Sequence, residues 1–155
     1  MKKEIRAIGF VYGNTKNIIG VIFRGNTCFE GLIKIKLDLN INVTEEIVKV
    51  LKASPHFKQL RIIMFSENIV AKVNLQKIYE ETKLPVIVVY KKPPIKNEEL
   101  LKLKINKREI YVKAIGFNQA LTKEALKNFT LKKADFPEPL RVAFLIAKAL
   151  NNLEA

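Results

Sequence analysis

Two short runs of branched, almost wholly apolar residues, Leu60 to Phe65 and Val86 to Tyr90, constrain the fold of this chain more than any other feature. A helical pattern from Asn74 to Thr82 lies between them. Strands of that length and composition suit a parallel arrangement covered on both faces, and the helix supplies the crossover that parallel strands require. The chain therefore contains a βαβ unit. The segments before it differ in kind. Ile5 to Gly13 and Ile18 to Arg24 read as strands, and Gly25-Asn26 is a tight-hairpin dipeptide leading into a third. From Ile33 to Ile41 apolar and polar residues alternate without a break, which predicts a strand with one wet, partly basic face. Thr44 is a candidate cap for a helix whose first turn carries Glu45 and Glu46 and which ends at Ser54-Pro55.

After the βαβ unit, Lys91-Lys92-Pro93-Pro94 reads as a rigid basic turn, not a domain boundary. Leu100 to Ile105 fits either a helix or a strand paired with Ile110 to Ile115, and the pattern leaves both open. Helical patterns return at Thr122 to Phe129 and from Pro139 to Leu150, the latter with proline at a favoured first position. With 155 residues, residues 1–155 are expected to form one domain around one core. Three early antiparallel strands followed by parallel strands with flanking helices is the order of an RNase H-like mixed sheet in the α/β class.

The longest apolar runs fall far short of the roughly 20 residues that cross a bilayer. Met1-Lys2-Lys3 is followed at once by Glu4 and Arg6, without a cleavage site, so a cytoplasmic location is expected. Cys28 is the single cysteine and is expected to be a core thiol, with no disulfide or zinc site. The net charge of +13 makes RNA or DNA a natural partner. The excess is mostly lysine, however, so a heat-adapted surface explains it equally well.

Several stretches carry a family resemblance: Lys3 to Gly9, Gly20 to Gly25, Leu84 to Val89, Ile110 to Val112 with Gly116, and above all Pro137-Glu138-Pro139-Leu140-Arg141-Val142-Ala143. They resemble the archaeal proteins of domain of unknown function 99, which are related to endonuclease V. The resemblance implies an endonuclease V-like fold and a magnesium site built from carboxylates at the ends of the first and fourth strands. Where the family resemblance implies Gly-Ile-Asp-Asp-Gly, this chain has Gly9-Phe10-Val11-Tyr12-Gly13. Where it implies Ile-Met-Leu-Asp-Gly, the chain has Ile63-Met64-Phe65-Ser66-Glu67, and Phe144 stands in place of a histidine. Val11, Tyr12, Ser66, Glu67 and Phe144 are therefore expected to mark a vestigial pocket without metal or cofactor, and catalysis by the family route is not expected.

Two other possibilities remain open from sequence. Glu30, Glu67 and Glu138 could rebuild a cation site in an active nuclease, although Glu138 also suits bracing of the last helix. The chain could instead be an interaction scaffold or a homodimer joined through a strand edge. For nucleic acid, the candidate contacts are Lys16, Arg24, Lys34, Lys36, Lys72, Lys91, Lys92 and Arg141, with Tyr12 and Tyr90 as rings on which a base could stack. His56, the single histidine, reads as a loop residue.

Overall fold

The computed structural model describes residues 1–2, 4–14, 16–94 and 100–154. Strands β1 (Arg6–Gly13), β2 (Asn17–Arg24) and β3 (Cys28–Lys36) form an antiparallel meander. Gly25, at φ 59°, makes the turn into β3 in the left-handed region that glycine enters without steric cost. The alternating stretch stops being a strand at Lys36, earlier than its pattern predicts. Leu39 is 96% exposed, because beyond Lys36 the chain has no partner strand against which alternation could be expressed.

β4 (Leu60–Ser66) and β5 (Val86–Tyr90) lie parallel to β1, with α2 (Leu75–Thr82) as the crossover. The ambiguous segment resolves as a strand: β6 (Leu101–Ile105) pairs antiparallel with β7 (Arg108–Ile115), and β7 pairs antiparallel with β5. Among the described residues the sheet has seven strands in the order β3-β2-β1-β4-β5-β7-β6. β3 is one outer strand. A bulge leaves Glu30 without a cross-strand partner, while Lys34 and Lys36 stay exposed; both features discourage pairing at a free edge.

Asparagine caps three helices. Asn42 accepts from the Glu45 N–H at the start of α1 (Val43–Ala53), Asn74 from Lys77 in α2, and Asn118 from Leu121 in α3 (Gln119–Phe129). Thr44 is thus not the cap of α1. It lies inside the helix, and its hydroxyl accepts the Asn74 N–H at 2.9 Å, which ties the start of α2 to α1. The last helix, α4 (Glu138–Glu154), begins one residue before Pro139.

The sheet is buried on both sides. Ile8, Phe10, Ile63 and Phe65 face the core under α1 and α2, and the Phe10 and Phe65 rings stack at 5.5 Å. Ala7, Val11, Met64 and Val89 face the core shared with Leu126 and Phe129 of α3 and with Leu140 and Ala143 of α4. α4 packs on β1 and β2. Its first turn comes so near β1 that a Cβ on Gly9 would lie 2.7 Å from the Pro139 carbonyl carbon. Among the described residues no helix is long and apolar enough to cross a membrane.

Candidate functional site

β1, β3, β4 and β5 all run in the same direction, so Tyr12, Lys36, Ser66 and Tyr90 lie towards one edge of the sheet, its carboxyl edge. The sequence-derived pocket residues Val11, Tyr12 and Ser66 come close to one another there, tied through Asn68 in the case of Tyr12 and Ser66. Val11 and Ser66 have no exposed surface, since Val11 is packed beneath α4. Tyr12 is half-buried against the opposite core.

Asn68 organises this edge, and sequence reasoning missed it. Beyond the Phe10–Phe65 pair, β4 stops tracking β1, and the Asn68 side chain takes over the pairing. Its Oδ1 accepts the Tyr12 N–H at 3.1 Å, and its Nδ2 donates to the Tyr12 carbonyl at 2.9 Å. The Ser66 hydroxyl donates to the same Oδ1. The one oxygen offered by the fourth strand is therefore committed to an amide.

The charge at the edge is basic. The Lys72 ammonium, at the end of a short 3-10 turn (Val70–Lys72), sits over the Tyr12 ring at 4.9 Å from its centroid. Both residues, with Lys16 and Asp38, line a cleft of about 300 Å³. Asp38 turns back on its own loop, accepting the Asn40 N–H at 2.9 Å. Lys91, which follows β5, places its ammonium 5.1 Å from the Phe136 ring centroid and 5.6 Å from that of Phe144. Phe144 thus forms an aromatic seat for a lysine. Lys92 is exposed beside it, and Lys34 and Lys36 approach the same edge on β3.

Of the other basic candidates, one lies elsewhere and one is engaged by a carboxylate. Arg24 is at the end of β2, on the opposite edge of the sheet. Arg141 gives Nε and Nη2 to the Glu138 carboxylate at 2.6 and 2.8 Å, and this bond raises its already high pKa. Glu138 is buried at the start of α4 and is bound to Arg141 one turn on.

The three acids considered for a rebuilt cation site do not meet. Glu30 is bound to Arg6 Nε at 2.5 Å, with Arg24 Nε 3.8 Å away, at the start of β1. Eight residues of extended strand separate that end from the carboxyl edge by roughly 20 Å. Glu67 is exposed after β4, and Glu138 is held by Arg141. No three His, Cys, Asp or Glu side chains are grouped to hold a metal among the described residues. Magnesium selects several carboxylate and water oxygens, and the described side chains at the carboxyl edge do not fit it: Val11 is a hydrocarbon, the Ser66 hydroxyl is committed, Asp38 and Glu67 are not grouped with a third ligand, and ammonium groups lie among them.

A family profile described as endonuclease dU matches residues 3–105. A UPF0215 protein of Methanosarcina acetivorans is 30% identical over 97% of this chain and 92% of its own length. Among solved structures, a protein of unknown function from Archaeoglobus fulgidus superposes with a TM-score of 0.75 at 20% identity, covering 94% of this chain and 96% of its own. Endonuclease V of Bacillus subtilis gives 0.63 at 10% identity, covering 96% and 81%. The Argonaute of Marinitoga piezophila, solved with guide RNA and target DNA, also gives 0.63, at 14% identity over 95% of this chain and 30% of its own. These likenesses establish the RNase H-like fold.

Proposed function

Because this chain belongs to the endonuclease dU family, we propose that it keeps the family fold as a non-cleaving protein that grips a nucleic-acid backbone along the carboxyl edge of its sheet. The observation that carries this reading is the kind of charge at that edge. Lys72 lies over Tyr12, where the family resemblance implies a carboxylate, and Lys91 over Phe144, where it implies a histidine. Ammonium groups repel a divalent cation and attract phosphate, so the same substitutions that remove a metal site favour backbone binding. The likeness to an Argonaute captured with guide RNA and target DNA supports a polynucleotide partner.

Filter binding with single-stranded RNA and DNA across a range of salt tests the reading. Contacts from Lys16, Lys36, Lys72 and Lys92 predict a log–log slope of about −3, because each neutralised phosphate on a single strand contributes roughly −0.7. Lys72→Gln is expected to make the slope shallower by about 0.7 and to weaken all sequences alike. The reading fails if neither polymer binds at low salt. It also fails if the protein with magnesium or manganese cuts inosine- or dU-containing strands.

A further inference from the structure

We propose that a cavity at the amino edge of the sheet binds a small phosphate-bearing molecule. The cavity, about 480 Å³, opens beside the β2–β3 hairpin and the end of α3, and Glu4, Arg24, Cys28, Lys127 and Asn128 contribute to its wall. That volume suits a ligand of nucleoside-monophosphate size.

The donors and acceptors around it are out of balance. At the end of α3 the exposed carbonyls would ordinarily repel an anion. Here two of the last four, those of Leu126 and Lys127, are engaged, as is that of Thr130 just beyond the helix. The Thr130 hydroxyl donates to the Leu126 carbonyl at 2.6 Å, the Thr130 N–H to that of Lys127 at 3.4 Å, and Asn26 Nδ2 to that of Thr130 at 3.3 Å. The donors are not matched in the same way. Asn128 stands in the cavity wall, and its Nδ2, buried behind that wall, has no hydrogen-bond partner, a rare condition for an amide that rotation of the side chain towards a ligand acceptor would relieve. Arg24 offers five N–H donors, and its Nη2 donates to the weak Cys28 sulfur at 3.4 Å. Glu30 lies 3.8 Å from Arg24 Nε but is bonded more closely by Arg6. Lys127 adds a second positive charge, and Glu4 is the one acid in the wall. A guanidinium and an ammonium on one space, with an unpaired amide in the wall behind them, match a phosphate, which accepts several charge-assisted bonds at once.

Calorimetric titration of the full chain with inorganic phosphate and with a nucleoside monophosphate, at constant ionic strength set by chloride, reads the site directly. Saturable binding is expected, with NMR shifts centred on the Gly25 and Thr27 amides and the Asn128 side-chain NH2. Lys127→Gln and Asn128→Leu should each weaken it about tenfold. Neither change touches the Arg24–Glu30–Arg6 cluster, and a circular-dichroism melt confirms that each variant is folded. Lys72→Gln, at the opposite edge, should leave it unchanged. Binding of either phosphate species with this pattern upholds the site. Absence of saturation at high millimolar phosphate, equal affinity in both variants, or the same shifts with chloride alone overturns it.

Discussion

At the scale of single residues, the carboxyl edge is held by an amide. Asn68 is an exposed turn residue, yet one side chain completes the hydrogen bonding of the Tyr12 peptide and receives the buried Ser66 hydroxyl. Replacing it with alanine leaves water to satisfy the Tyr12 backbone, but Ser66 has no exposed surface through which water could serve it. Asn68→Ala is therefore expected to cost about 1.5 kcal/mol. At this chain length that corresponds to a fall in Tm of roughly 3–6 °C. A double variant with Ser66→Ala should recover part of the loss, because removing both partners costs less than orphaning one; full additivity of the two changes would contradict the coupling. Val11, Tyr12 and Ser66 were singled out in sequence by what the family resemblance implies at their positions. Asn68 was not, since asparagine after a strand ordinarily signals a turn, and its bond spans 56 positions to Tyr12. The lysine seats on Tyr12 and Phe144 were hidden for the same reason, because a charged residue carries no mark of the ring it will cover.

At the scale of elements, the placement of α4 decides the shape of the edge. Its first turn lies directly on β1 at Gly9, where an added Cβ would meet Pro139 and Leu140 backbone atoms at 2.7 and 2.9 Å. Backbone cannot swing aside as a flexible side chain can, so Gly9→Ala must push the helix off the sheet and is expected to cost about 2–3 kcal/mol. Gly13, further along the same strand, meets its nearest neighbour at 3.5 Å, an ordinary contact. Gly13→Ala should change Tm little, and equal losses in the two variants would refute the close-approach argument. The strands and α2 were legible because apolar periodicity reports burial directly, and both faces of this sheet are buried. The pattern misled where burial stopped: residues 37–41 alternate like a strand but have no partner, and Leu101 to Ile105 alternates too weakly to be separated from a helix until β7 is beside it. Thr44 looked like a cap because its chemistry suits one, but Asn42 stands at the position whose side chain reaches Glu45.

At the scale of the whole molecule, the net charge of +13 is carried mostly by lysine, while some of the few arginines pair with carboxylates. Lys36, Lys72, Lys91 and Lys92 lie towards the carboxyl edge, and Arg6 and Arg24 flank Glu30 at the amino edge. The arginine pairs shape the response to acid. The Arg6 guanidinium, hydrogen-bonded to Glu30, holds that carboxyl below its usual range, and Arg108 does the same for Asp135. A carboxyl with a depressed folded pKa contributes stability that is present above its unfolded value, near 4, and is lost as pH falls through the folded value. Protonation also removes negative charge from a molecule that already repels itself, so both effects act in one direction. Thermal melts should therefore be nearly flat from about pH 7 to pH 5 and fall steeply below about pH 4. Added salt should raise the acid-side Tm, because screening weakens the repulsion among exposed lysines. Glu30→Gln should lower Tm at neutral pH and flatten the acid limb, since it removes a titrating partner and leaves two guanidiniums facing each other. An acid limb unchanged in that variant would show that general repulsion, not the pairing at the amino edge, controls unfolding.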